Sequence, residues 1–105
     1  MRAPNILIAI LLTSLTWTAH AADSSIIRDF KAVDASFTRH AIPYTGNPDV
    51  DFRKSLIARR ENIINMAEVA LARAEDPSTE KLALQTIEKQ KHDIAELQHW
   101  LDTHN

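Results

Sequence analysis

Two adjacent arginines interrupt an apolar helical arc in the run Leu56-Ile57-Ala58-Arg59-Arg60-Glu61-Asn62-Ile63-Ile64-Asn65-Met66-Ala67. At about 100° per residue, Ile63, Ala67 and Ala70 fall within about 40° of Leu56. Arg60 lies among them and Arg59 lies nearer the edge of the same arc. A guanidinium placed there needs a partner or a route to water, because an unpaired buried charge is expensive. One partner is available at the edge of a later apolar stripe: Asp93, beside Leu97 and Trp100. Planar guanidinium–carboxylate pairing suits such a position. The alternative is that both arginines lay their stems along the surface and put their heads in water. Capture of an anion or an acidic partner between them is a third use.

Metal chemistry has a second set of candidates. His92, Glu96 and His99 recur at i, i+4 and i+7, a spacing that can hold Zn²⁺ or Cu²⁺ on one helical face. The trio points away from Ile94, Leu97 and Leu101, and histidines on a solvated face are the commoner explanation of such spacing. Met66 is a thioether suited to Cu(I), but its place in the arc reads as core. His40 falls at a helix end, where a cation complements the dipole, and His104 in a terminal turn that should fray. Tyr44 and Trp100 read as packing residues with a polar edge. Nothing points to catalysis. There is no Ser/His/Asp arrangement on a nucleophile turn. Gly46 is the only glycine, so no phosphate-cradling loop exists, and without Cys there is no thiolate chemistry. Asp49 and Asp51 are paired carboxylates, but Asp49 is accounted for by the first turn of a helix.

The elements that must position these residues are helical. Ile26, Phe30, Val33 and Phe37 predict a first helix over 24–40. Asn47-Pro48 and Asp76-Pro77 each read as a cap followed by proline at the first helical position. They predict a second helix over 48–74, with Phe52, Leu56, Ile63, Ala67 and Ala70 inward, and a third over 77–103. The third carries the stripe Ala83, Ile87, Gln90, Ile94, Leu97 and Leu101. The link between the last two helices is so short that they must form an antiparallel hairpin, with the first helix packed across it. The fold class is thus all-α, a small antiparallel three-helix bundle that closes alone or is completed by dimerisation.

Ahead of these helices, residues 1–21 read as an export signal. Arg2 supplies a positive start, 6–15 are too short an apolar run to span a bilayer, and Thr18-Ala19-His20-Ala21 offers a cleavage point after Ala21. No Cys follows, which excludes a lipoprotein anchor. The helical domain is then 22–105, 84 residues with no disulfide despite an oxidising destination. Loss of Arg2 leaves it with a net charge near −3, which is not a nucleic-acid-binding profile. After cleavage no membrane segment remains, and the expected location is the bacterial periplasm or outside the cell.

Residues 45–101 resemble the exported family known as domain of unknown function 305, which is placed with ferritin-like helical proteins. Its members carry a stretch like Thr-Gly-Asp-Pro-Asp-Val-Asp-Phe, then Met-Ile-Pro-His-His and Ala-Ile-x-Met-Ala. A later helix carries Gln-x-x-Glu-Ile-x-x-Met-x-x-Trp-Leu. This chain has Thr45-Gly46-Asn47-Pro48-Asp49-Val50-Asp51-Phe52, then 56–60 and Ile63-Ile64-Asn65-Met66-Ala67, and later 90–101 ending in Trp100-Leu101. The resemblance implies a ferritin-like helical fold and, for some members, copper handling in the periplasm. It also exposes a departure. The His-His pair is Arg59-Arg60, and the methionines are Leu56 and Leu97; Met66 and the acidic Asp93 remain. Guanidinium has no lone pair for a metal. The reading is therefore a non-catalytic periplasmic protein that has lost the family metal site, needs no cofactor, and acts through an unidentified protein partner or as a homodimer. The alternative is a copper or zinc protein using Met66 and the histidines.

Overall fold

The computed structural model describes residues 18–104, with side chains from Ser24 onward. Most of the expected export segment, including its apolar run, lies outside the described residues. Three helices follow: α1 (Thr18–Arg39), α2 (Pro48–Arg73) and α3 (Pro77–Thr103). Among the described residues there is no strand, and no helix is long and apolar enough to cross a membrane.

The starts of α2 and α3 follow from local chemistry. Asn47 caps α2, its side-chain oxygen accepting from Asp49 N at 3.0 Å and Val50 N at 3.4 Å, with Pro48 filling a position that needs no N–H donor. Asp76 does the same for α3, accepting from Ser78 N at 3.0 Å and Ser78 Oγ at 2.8 Å. Ahead of α2 the loop is pinned by a residue from inside the helix. Asp51 accepts from Thr45 N, Thr45 Oγ1 and Gly46 N at 2.7, 2.8 and 2.8 Å. Gly46 turns at φ +87°, a conformation that favours glycine. The Thr45 backbone N–H, first among these donors, holds the Asp51 carboxyl below its ordinary value. The Ser78 backbone N–H does the same for Asp76.

Helices α2 and α3 form the antiparallel hairpin. Arg53 meets Trp100 and Arg60 meets Asp93, one helix advancing seven residues as the other retreats seven. Two helical turns separate each pair, so both lie on one seam. Helix α1 runs antiparallel to α2, with Phe37 near Arg59 and Asp29 Oδ2 bonded to Arg73 Nη2 at 2.7 Å and Nε at 3.0 Å. The expected packing of α1 across the hairpin takes a different form: α1 lies along α2, and its backbone does not come into packing range of α3. The three helices form one layer with α2 in the middle.

A single layer buries little. Among the described residues only Ala67, Ala83 and Leu101 are buried. Leu56, Ile63 and Ala70 are half-buried, and so are Ile87, Gln90, Ile94 and Leu97. Phe52, expected inward, is exposed, as are Met66 and Tyr44, which were expected to pack. Phe52 and Met66 share one cause, since a helix with neighbours on two sides only leaves the face between them open; Tyr44 lies in the loop between α1 and α2.

Candidate functional site

A polar site that bridges two helices lies on the α2–α3 seam. Arg60 Nη1 donates to Gln90 Oε1 and to Asp93 Oδ2, both at 2.9 Å. The side chains of Arg60 and Asp93 are 28% and 25% exposed, so the pair is sheltered but not sealed. Arg60 Nε is out of solvent and has no partner. Two turns away the Arg53 guanidinium stacks 3.6 Å from the Trp100 ring centroid, within range of a favourable cation–π contact. His104 stacks on Trp100 at 4.2 Å and contacts its backbone oxygen through Nδ1 at 2.8 Å. The last turn of α3 is thereby tied down where fraying was expected. Around the two arginines, Asp93, Glu96, Leu97 and Trp100 complete an open pocket of about 330 Å³.

The adjacent arginines separate. Arg60 turns to α3, whereas Arg59 is exposed and turns to α1, 5.9 Å from the Phe37 centroid. A step of about 100° per residue makes this unavoidable on a helix flanked on both sides. Gln90 was expected only as a member of the α3 stripe. A lone amide in an apolar stripe opposite an arginine was the signal that could have marked it as that arginine's second acceptor.

The metal candidates do not assemble as one set. His92, Asp93 and Glu96 place ligand atoms within 4.8 Å of one another, and His92 Nε2 lies 3.3 Å from Glu96 Oε1. His92 and Glu96 are exposed, and Asp93 is already bonded to a cation, Arg60. His99 is exposed and stands outside that cluster. Met66 is elsewhere, in an apolar groove with Phe30, Ile63, Ala70 and Leu82 and no histidine. Where the resemblance implies paired histidines, the residues present do not fit a metal, since guanidinium groups donate hydrogen bonds and offer no lone pair.

Fold and site together define a small all-α protein built on an antiparallel hairpin with an arginine-centred polar network in its seam. Residues 49–105 match the family described as Domain of unknown function (DUF305), and the chain belongs to it. The match takes in almost all of α2 and the whole of α3, so the family module is the hairpin that carries the network. No curated protein matches the chain.

Proposed function

We propose that this protein is a non-catalytic, exported member of its family that acts through protein contacts, with the arginine network standing where relatives would hold a metal. The observation that carries this reading is the geometry of Arg60. One guanidinium nitrogen serves both Gln90 and Asp93 across the helix seam. The acidic residue that could have contributed to a ligand set is thereby committed to a protein cation. A fixed positive charge at that distance also opposes entry of a metal cation. The export signal at 1–21 and a domain of 84 residues without Cys support a periplasmic or secreted location.

A second reading rests on the His92–Asp93–Glu96 cluster: copper or zinc held on the outer face of α3, without Met66. Calorimetric titration of the protein with Cu(I), Cu(II) and Zn(II) separates the two. The proposal expects only weak association of the kind surface histidines give. Tight, stoichiometric binding that disappears in His92→Ala overturns it in favour of the metal reading.

A further inference from the structure

We infer that the open apolar face of the helical layer is the interface of a homodimer, two copies packing face to face to close one core. The inference rests on the protein-contact part of the reading above and names the partner; it does not depend on the fate of the metal site.

The two faces of α2 are unlike. Counting about 100° per residue from Phe52, Leu56, Arg59, Ile63, Met66 and Ala70 fall within about 40° of it; Arg59 is the one charge among them, exposed and turned towards Phe37 at the α1 edge. The opposite side carries Lys54, Glu61, Asn65 and Glu68, beside Val50, Ile57 and Ala72. With α1 on one flank and α3 on the other, neither face of α2 is covered by another described helix. The polar face is at home in water. The apolar face is not: Phe52 is 64% exposed and Met66 40%. The flanking helices extend it, α1 with Phe30 and α3 with Leu82, which is 63% exposed.

A domain normally buries such a face by packing a second layer on it. This chain has no further helix among the described residues to supply one. The face is large enough for a copy of itself. Helix α2 is about 39 Å long at 1.5 Å per residue, and three helices side by side at ordinary packing distance make a layer roughly 25–30 Å across. The outline is on the order of 1,000 Å², against the roughly 800 Å² that each partner contributes to a stable interface.

The face is also self-complementary. It carries a groove of about 180 Å³ floored by Ala67 and Ala70. Projecting side chains, Phe52 and Leu82, stand on the same surface. A surface with both features can mate with itself about a two-fold axis, each copy giving and receiving. Small residues at the groove floor allow close approach, and Thr79 and Thr86 supply a polar rim.

Sedimentation equilibrium of the purified protein in chelator, from roughly 1 to 100 μM, tests the proposal. The expected result is a dimer. Leu82→Glu and Met66→Glu, which place a charge on an already exposed position, should each weaken it by about 100-fold or more with helicity unchanged. Leu84→Glu is the control: Leu84 is 53% exposed but lies on the other side of α3, and its dimer should persist. Because Met1 and Met66 are the only methionines, the Met66 methyl resonance gives an independent readout. It should shift on dilution and show cross-peaks to a differently labelled copy. A wild-type monomer at the highest concentration overturns the proposal, as does a dimer broken by Leu84→Glu and spared by Leu82→Glu. If a glutamate variant loses helicity, the methyl cross-peaks of the wild type decide, and their absence counts against the interface. The chelator keeps this result separate from the calorimetric one, so failure of the dimer and failure of the metal-free reading are distinguishable.

Discussion

Removal of the Asp93 carboxylate probes the arginine network most directly. In Asp93→Ala, Arg60 keeps Gln90 as an acceptor but loses its counter-charge. A hydrogen bond to a charged group is worth about 1.5–3 kcal/mol when one partner is deleted. With about a quarter of each side chain exposed, water reaches the stranded guanidinium, which places the loss at the lower end, ~1.5 kcal/mol. Alanine returns roughly 0.5 kcal/mol through its higher helix propensity. The net destabilisation is then about 1 kcal/mol, or a fall in Tm of about 4–8 °C for a domain of this size. Thermal unfolding followed by circular dichroism measures it, at one protein concentration because self-association makes Tm concentration-dependent. Glu96→Ala, which removes only the exposed contact to His92, should move Tm by no more than about 2 °C. Arg60→Met combined with Asp93→Leu should recover most of the loss, since replacing both members of a sheltered pair is often neutral. An unchanged Tm in Asp93→Ala would refute the reasoning, as would a loss that vanishes in concentrated salt, the behaviour of a solvated surface pair.

Two further perturbations address the frame around the network. Asp51 and Asp76 have carboxyls held below their ordinary value near 3.8 by backbone N–H donors. Their contribution is complete above that value and is lost as pH falls through the lowered one. Acid unfolding should therefore steepen below about pH 4. Asp51→Asn should blunt that dependence and speed amide exchange at Thr45 and Gly46, and an unaltered acid limb would argue against the loop pin. At Gly46 the added methyl of Gly46→Ala meets nothing within 4 Å, so its cost comes from the positive φ alone, about 1 kcal/mol. Chemical denaturation measures this, and a neutral substitution would mean that the turn does not need that backbone conformation.

The sequence by itself determined α2 and α3, because the signals that start them are local; α1 begins at Thr18, six residues before its apolar spacing predicts. Asn47-Pro48 and Asp76-Pro77 start α2 and α3 at the residues where caps and prolines require them. The three-residue link after Arg73 forced the hairpin, and the ordered motifs over 45–101 marked the family that the match over 49–105 shows. Local patterns carry no information about which side of a helix finds a neighbour. The arc holding both Arg59 and Arg60 could not say that one would turn to Asp93 and Gln90 and the other towards Phe37. That division exists only because α3 and α1 flank α2 on two sides. Phe52 and Met66 looked like core for the same reason: hydrophobic periodicity reports that a face wants cover, and the single layer leaves that face open. The tertiary arrangement thus decided the acceptors of Arg60, the isolation of Met66 from every histidine candidate, and the exposure of the apolar face. Each depends on contacts between residues far apart in the chain, which the order of residues along one helix does not encode.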